Sequence, residues 1–538
     1  MKRTLFVSAA FLICAICPAQ NLNPEVQVTN DYVSEFSKMP KQGVDMTIPD
    51  SLHRFDYHFD YAVFDSPYKG AYEFSPYSVT VKPDATPYDG HKLYARLGAG
   101  YTIRPELDVV WTPVSSDKFK LNVVEKAGGF YGSYRTFDLK GAAVGRTEGG
   151  DYDFSNHTAL DGRVWFGRSS LKFDLGYDGI FTSPLFNSSD DKYHSAFVSA
   201  RIKPSDNASN RFYYELGLNY RLSKTACLTD NNFLVDGKLG GEFSRRRIAC
   251  LLDFKVAANA FYSGLDLAPH ADFTFGPVGV RLGARLGFGS NVSEEKKASV
   301  TFYPDVTASV NVVKNCLQAF AFATGGPRYN SYYDFKSFDH HYYSDGGMSI
   351  TRDRLDVGGG LRGQIASRLQ YSVKAGYKIM QDAPLYSIDF IQSFNPVQSP
   401  FQSRIFFYDY NTFYVDASLQ WKSERVDVDG NFLYLADNLP LASGLFAPAP
   451  LSGGLHFKYN WDRRLFFSLG ADAASARTSS IGFTIPWYVD LGAGLEFKFA
   501  RGWSVYMKGG NLLNMDVRRT PLYSEYGVSV IAGVCLIL

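Results

Sequence analysis

The chain has 538 residues, of which 45% are hydrophobic, 16% aromatic and 20% charged. Its formal net charge of +1 at pH 7 gives no reason to expect a nucleic-acid partner or a strongly charged ligand. The mean hydropathy of −0.17 fits a soluble protein, and it equally fits a membrane barrel in which half of each strand is polar.

The N-terminus has the pattern of a secretory signal. Lys2 and Arg3 precede an apolar run from Leu5 to Cys17, and Ala19 supplies a small residue at a suitable cleavage position. We therefore expect residues 1–19 to form a cleavable signal peptide that exports the protein. No later stretch reaches the ~18 consecutive apolar residues that a membrane helix needs.

Residues 20–90 are expected to form a periplasmic leader and a strap. Residues 20–50 are polar and show no sustained periodicity. From Phe55 to Val63 aromatic side chains alternate with polar ones, which favours a short strand, and Pro67 then excludes a central position in a sheet. We expect this strap to fold against or into the periplasmic mouth of a barrel, where it could contact other envelope proteins.

Residues 91–538 repeat one pattern, in which every second residue is apolar. Clear examples lie at 212–222, 252–260, 413–421 and 489–499. A strict period of two predicts strands with one apolar face and one polar face. Each run has about the 9–11 residues that cross a bilayer when the strand is tilted.

The links between these runs alternate between short and long. Short polar links occur at 168–170, 422–425 and 500–502, and long ones near 325–350, 382–402 and 511–525. Outer-membrane barrels show this asymmetry, with short periplasmic turns and long external loops, and at roughly 20–25 residues per strand and link we expect about 18–22 strands. The predicted fold is all-β, a closed antiparallel transmembrane β-barrel in a Gram-negative type of outer membrane, since backbone groups in lipid must all be paired.

The C-terminal part carries a motif with a family resemblance. Residues 503–514 read WSVYMKGGNLLN, and a polar stretch then leads into a closing strand. This order resembles the penultimate strand and the NLLN-type corner of TonB-dependent receptors, with Asn511, Leu512, Leu513 and Asn514 at the motif positions. The resemblance implies an outer-membrane receptor, because members of that family import scarce ligands such as metal chelates or glycans.

The segment before the barrel departs from that family. Such receptors carry an N-terminal plug and a segment that contacts TonB. About 70 residues follow the signal here, which is short for a plug, and they contain no evident plug pattern. We therefore expect a receptor-like barrel without a plug, and this expectation speaks against coupling to TonB.

A long loop near residues 327–347 combines tyrosines, histidines and aspartates. Aromatic faces stack on sugars or peptides while their polar tips form hydrogen bonds. The residues expected to bind a ligand there are Tyr329, Tyr332, Tyr333, Asp339, His340, Tyr342 and Asp345. An aromatic loop packed on itself at the outer rim would explain the same residues. Adjacent histidines in a strand point to opposite faces, so no metal site and no cofactor are predicted.

Two functions fit this pattern. The first is an outer-membrane receptor or transport barrel that binds a ligand at its external loops and passes it through or on. The alternative is a non-transporting barrel subunit of an outer-membrane complex with a scaffold or envelope-assembly role. An enzyme is not expected, since no grouping of serine, histidine and carboxylate is evident at one strand rim. The expected partners are outer-membrane lipid and envelope proteins.

Overall fold

The computed structural model describes residues 92–538 apart from short gaps. The gaps are 102, 139, 148, 184–191, 206–211, 226–227, 244–247, 292–298, 315, 343–346, 366–367, 391–400, 440–444, 480, 522–523 and 525–526, together with the side chains of 388–390 and 401–403. The expected signal peptide (1–19) and the expected leader and strap (20–90) lie outside the described residues. Those two assignments therefore stay predictions.

Twenty-two strands form one antiparallel sheet that closes on itself, because the first strand pairs with both the second and the last. The first eleven are β1 (Leu93–Tyr101), β2 (Glu106–Ser115), β3 (Phe119–Gly132), β6 (Asp151–Phe166), β7 (Ser169–Thr182), β8 (Tyr193–Pro204), β9 (Phe212–Lys224), β10 (Thr229–Phe243), β11 (Ile248–Ala258), β12 (Tyr262–Phe275) and β13 (Val278–Asn291). The others are β14 (Ser299–Val313), β15 (Leu317–Tyr329), β16 (Ile350–Ile365), β17 (Leu369–Phe390), β18 (Phe401–Lys422), β19 (Val426–Asp437), β20 (Leu451–Trp461), β21 (Leu465–Ala474), β24 (Tyr488–Ala500), β25 (Trp503–Gly510) and β26 (Ser529–Ile537). The predicted closed antiparallel barrel is confirmed, with the strand number at the upper end of the expected range.

The alternation of side chains explains why these strands form a membrane barrel. In β25, Trp503, Val505 and Met507 are exposed on the outer surface, where they face lipid. Ser504, Tyr506 and Lys508 point inward and are buried. Lipid-facing apolar positions and inward polar positions therefore alternate as the period of two predicts.

The inner wall of the barrel is lined with ion pairs. Arg201 Nη1 lies 2.6 Å from a Glu215 carboxylate oxygen, Arg281 Nε lies 2.7 Å from Asp272, and Lys374 Nζ lies 3.1 Å from Asp416. Because both signs of charge lie side by side on neighbouring strands, the wall is polar and largely neutralised.

The strands that close the barrel share one of these ion clusters. Lys508 Nζ of β25 lies 2.5 Å from a carboxylate oxygen of Glu106 of β2, and Arg96 of β1 lies 3.9 Å from the same carboxylate. The Arg96 guanidinium also stacks on the ring of Tyr506 at 3.8 Å. One carboxylate therefore neutralises two buried cations across the seam between β26 and β1.

The connections between consecutive strands lie on two opposite rims of the barrel, short turns on one and long loops on the other. One rim, the short-turn rim, carries 116–118, 167–168, 276–277, 423–425, 462–464 and 501–502. The opposite rim, the long-loop rim, carries 133–150, 330–349, 438–450, 475–487 and 511–528. Short turns face the periplasm in outer-membrane barrels, so we assign the long-loop rim to the outside.

Two small hairpins and one helix lie within the long loops. The hairpins are β4 (Arg135–Phe137) with β5 (Ala143–Arg146), and β22 (Arg477–Thr478) with β23 (Thr484–Ile485). The helix α1 (Tyr332–Phe338) begins at a capping box, in which Ser331 and Asp334 satisfy each other's backbone N–H groups. Among the residues that the structure describes, no helix is long and apolar enough to span a membrane.

The expectation of a loop over 382–402 was wrong for most of its length. β17 continues to Phe390 and β18 begins at Phe401, so a paired hairpin projects beyond the neighbouring strands on the long-loop rim. The register between the two strands shifts between Met380 and Ala383, and Asp382 has a positive φ of 51°. This irregularity interrupts the alternation, which is why the sequence there resembles a loop.

Candidate functional site

The connection between β15 and β16 crosses the barrel mouth. We call its described residues, 330–342 and 347–349, the mouth loop. His340 Nδ1 lies 2.5 Å from Asp153 Oδ1, on β6. β6 is nine strands away from β15 in a sheet of 22, which is close to half of the circumference. The mouth loop therefore reaches from one wall of the lumen to the other.

Aromatic packing holds the mouth loop on the far wall. Tyr332 of α1 is 1% exposed and packs against Tyr193 at the start of β8, with ring centroids 5.7 Å apart. Tyr342 also packs against Tyr332, with ring centroids 5.6 Å apart, and Met348 and Ile350 belong to the same cluster. Full burial of each such side chain stabilises the arrangement by about 2 kcal/mol.

Polar contacts fix the same loop. The Tyr262 hydroxyl donates to the Asn330 carbonyl at 2.6 Å, and the buried Lys336 ammonium donates to the Tyr342 carbonyl at 3.1 Å. Asn330 Nδ2 donates to Thr351 Oγ1 at 2.8 Å. These bonds tie the start of the loop to the barrel and its middle to itself, and hydrogen bonds shielded from water are costly to break.

Tyr333 meets a cation of the far wall. The Arg221 guanidinium of β9 lies 3.6 Å from the centroid of its ring, a cation–π geometry. Burial raises the pKa of the Tyr333 phenol, and the nearby Asp178 carboxylate raises it further. The phenol therefore stays neutral, and Arg221 interacts with the face of the ring rather than with a phenolate.

The predicted ligand residues fall into three groups in the structure. Tyr332, Asp339 and Tyr342 are buried, and His340 contacts Asp153, so these four hold the loop in place. Tyr329 and Tyr333 are half-buried, and Tyr329 stacks on Tyr262 at 6.0 Å. Asp345 lies outside the described residues. Ligand binding by these seven residues stays a prediction.

The contacts on the far wall were not predicted from the sequence. Asp153, Tyr193 and Arg221 occupy inward positions of their strands, as dozens of other polar side chains do. Strand periodicity shows only that such residues face the lumen. No local signal distinguishes the inward residues that a distant loop will contact.

A second set of loops forms a cluster over the long-loop rim, which we call the roof cluster. Arg518 Nη2 donates to the Gly141 carbonyl at 2.7 Å and lies 3.9 Å from the ring of Phe137. Burial lowers the pKa of Arg518, and its closest carboxylate oxygen, on Asp516, is 2.7 Å away. The apolar part of the cluster consists of Phe137, Phe446, Phe483 and Ile485.

The mouth loop and the roof cluster are connected. His341 Nε2 lies 3.2 Å from the Tyr134 hydroxyl, which belongs to the connection that also carries β4 and β5. Phe338 of α1 packs on Tyr386 of the projecting hairpin at 5.9 Å. Adjacent histidines therefore contact two different partners. Among the described residues no group of three or more His, Cys, Asp or Glu side chains could hold a metal ion.

The NLLN corner ends β25 in a compact turn. Asn511 is 5% exposed and has a positive φ of 46°, a conformation that asparagine tolerates. Its side-chain oxygen accepts from the Met515 N–H and its amide donates to the Met515 carbonyl, both at 2.9 Å. Asn514, also at positive φ, accepts from Arg135 at 3.3 Å. The motif therefore joins the closing strands to the roof cluster.

Asn511→Ala is expected to destabilise the barrel by about 2–3 kcal/mol, because two buried hydrogen bonds are lost and alanine disfavours the left-handed conformation. The measurement is the free energy of unfolding from urea titration in detergent micelles. Leu513→Ala is the control, since Leu513 is 52% exposed and its change is expected to stay within about 0.5 kcal/mol. Equal effects of the two substitutions would contradict a structural role for Asn511.

Comparison with known proteins supports the architecture. No protein-family model matches this chain, and no curated protein matches its sequence. Among solved structures, the copper transporter OprC aligns with a TM-score of 0.60 at 9% identity, over 84% of this chain and 80% of OprC. The FrpB iron transporter from Neisseria meningitidis (F5-1 variant) aligns with a TM-score of 0.59 at 8% identity, over 83% and 82% of the two chains.

A third structure has the same architecture. The siderophore receptor PirA from Acinetobacter baumannii aligns with a TM-score of 0.58 at 10% identity, over 83% of this chain and 80% of PirA. These proteins are named as transporters and receptors. Together with the NLLN corner and the closed 22-stranded sheet, the alignments show that this chain has the barrel fold of TonB-dependent outer-membrane receptors.

Proposed function

We propose that this chain is an outer-membrane receptor or transport barrel that binds a small ligand at its outer mouth and passes it into the lumen. The observation that carries the proposal is the path of the mouth loop, which leaves β15 and contacts β6 through His340 and Asp153. A ligand that arrives from outside meets this loop before it can enter the barrel. The fold shared with metal and siderophore receptors is consistent with such a role.

The ligand would contact the half-buried side of the mouth loop. Tyr329 and Tyr333 retain accessible ring surface, and Arg221 adds a positive charge beside Tyr333. Aromatic faces with hydroxyl tips suit sugars, peptides and aromatic chelates, which have flat faces and hydrogen-bonding groups. Tyr332, Asp339, His340 and Tyr342 would then position the loop, and Asp345 is proposed as a further polar contact.

Tyr329→Ala is expected to weaken ligand binding about ten-fold, because it removes a stacking surface worth roughly 1–1.5 kcal/mol. The probes are a ferric catecholate chelate, a maltose-series oligosaccharide and a mixed tetrapeptide, each titrated by isothermal calorimetry against the full chain. Tyr377→Ala, on the lipid-facing surface of β17, is the matched control and should leave binding unchanged. No binding of any probe by the unmodified chain, or equal loss in both variants, would contradict the site.

The alternative role, a non-transporting barrel subunit of an envelope complex, draws on the roof cluster. Arg518, Phe137 and Phe483 tie several external loops together, which would suit a surface that contacts other proteins. Partner binding through the strap stays a prediction, as do a missing plug and independence from TonB, since residues 1–91 lie outside the described residues.

Two measurements separate the two roles. Purified protein in planar bilayers is expected to show conductance that responds to a bound probe, and affinity purification of the full chain from native cells shows whether other envelope proteins are bound to it. Absence of any conductance, together with recovery of other envelope proteins in stoichiometric amounts, would favour the scaffold role and overturn the receptor proposal.

A further inference from the structure

Three consecutive turns of the short-turn rim share a composition. They connect β18 to β19 (423–425), β20 to β21 (462–464) and β24 to β25 (501–502). They are neighbours around the rim because β19 pairs with β20 and β21 pairs with β24. Each turn is two strands, roughly 10 Å, from the next. We call this stretch the basic arc.

Exposed arginines dominate the basic arc. They are Arg425, Arg463, Arg464 and Arg501, and all four are exposed. The acidic residues of the same turns are Glu424 and Asp462, so the arc has a net positive charge. Arg425 and Asp462 lie 3.7 Å apart, and both side chains are 68% exposed, so Arg425 can exchange Asp462 for another anion at little cost.

A tryptophan lies beside each of the three turns. Trp421, Trp461 and Trp503 are 49%, 59% and 43% exposed on the lipid-facing surface. They are half of the six tryptophans in the chain. Tryptophan prefers the boundary between acyl chains and headgroups, so these rings place the arginines at the level of the lipid phosphates.

The backbone at Arg463 has a conformation that disfavours a long side chain. Asp462 and Arg463 have positive φ angles of 49° and 58°. Glycine or asparagine is the favoured residue for that conformation in a tight hairpin, and a long side chain is disfavoured. A long cationic side chain is nevertheless present at the tip of this turn, and it is exposed.

We propose that the basic arc binds the phosphate headgroups of anionic phospholipids in the periplasmic leaflet. Guanidinium groups form paired, charge-assisted hydrogen bonds to phosphate, and the row of turns offers several within the width of neighbouring lipids. The tryptophans anchor the adjoining glycerol and acyl region. The site lies on the rim opposite the mouth loop and is independent of the ligand function.

Native mass spectrometry of the detergent-solubilised full chain tests this proposal. Titration with phosphatidylglycerol is expected to give tighter binding than titration with phosphatidylcholine. Arg463→Gly should weaken phosphatidylglycerol binding about five-fold, the usual contribution of one basic residue at an anionic surface. The same substitution should leave the thermal unfolding temperature unchanged or raise it, because glycine suits the positive φ. Lipid binding and folding are thereby separated in one variant.

The combined variant R425Q, R463G and R464Q is expected to bind both lipids equally. The control is Arg354→Gln, at an exposed arginine near the long-loop rim, which should bind phosphatidylglycerol as the unmodified chain does. Equal binding of the two lipids by the unmodified chain, or full retention of phosphatidylglycerol by the combined variant, would overturn the proposal. Displacement of the lipid by millimolar inorganic phosphate would show a site for free phosphate and would also overturn it.

Discussion

Replacing residues 331–348 with a short glycine–serine linker is expected to raise the single-channel conductance of the barrel about ten-fold or more, because a 22-stranded barrel encloses a lumen wide enough to need a plug. The mouth loop crosses that lumen, and Tyr332 and His340 attach it to the far wall. Without it, only the loops of the roof cluster would remain over the outer rim, so ions should pass along the polar wall more freely. Recordings in planar bilayers measure the change.

The replacement is made both in the full chain and in a chain that lacks residues 20–90. The second background separates the contribution of the mouth loop from any contribution of the N-terminal segment. Heat-dependent gel mobility, which reports an intact barrel, controls for misfolding. Unchanged conductance in both backgrounds would show that the mouth loop does not restrict the lumen.

Glu106→Gln is expected to destabilise the barrel by about 3 kcal/mol, since removing one partner of a buried ion pair leaves uncompensated charge. Glu106 faces both Lys508, 8% exposed, and Arg96, 3% exposed. Glutamine cannot neutralise either cation, and the loss falls on the strands that close the sheet. The free energy of unfolding from urea titration is the measurement.

The chain offers a matched control for this substitution. Asp462→Asn removes the carboxylate that lies 3.7 Å from Arg425, where both side chains are 68% exposed. Solvent screens such pairs, so the expected change is below about 0.5 kcal/mol, and asparagine tolerates the positive φ of this position. If Glu106→Gln lowers the free energy of unfolding no more than Asp462→Asn does, the ion pairs of Glu106 do not stabilise the barrel.

Much of the barrel could be predicted because a membrane strand is defined by the alternation of residues that are neighbours in the sequence. Alternation along β25 requires only that Val505 face lipid and Tyr506 face the lumen, and the sequence displays that pattern directly. The antiparallel direction of the strands and an approximate range for their number follow from the same pattern and from the sorting of short and long links. The projecting hairpin escaped prediction because Asp382 and the register shift beside it break the alternation.

The candidate site could be predicted only in part because its contacts join residues that are far apart in the sequence. The aromatic residues of the mouth loop were recognisable by composition. Their partners were not, since His340 and Asp153 are 187 residues apart in the chain. The loop path depends on shape and charge complementarity between distant segments, as in the contact of Tyr333 with Arg221, and a single sequence carries no periodic signal for that.

The structure also constrains how a ligand would pass. Tyr332 and Tyr342 are buried in the cluster that holds the mouth loop, so a path through the mouth requires this cluster to open or a route beside it. A ligand can shift the loop only by binding more tightly to the open arrangement. Half-buried Tyr329 lies at the base of the loop, where such a difference in contacts could arise.

The most direct test of the account is a cross-link between the mouth loop and the far wall in native outer membranes. Cysteines replace His340 and Asp153 in a chain whose cysteines at 227, 250 and 316 are serines, and a protease site is placed in the connection between β7 and β8. A short bifunctional thiol reagent should keep the two fragments joined after cleavage and denaturation. A partner cysteine at Asp161, about 26 Å further along β6, should leave the fragments separate. Separation of the fragments in the His340 and Asp153 pair, or equal joining in both pairs, would contradict a loop that spans the lumen.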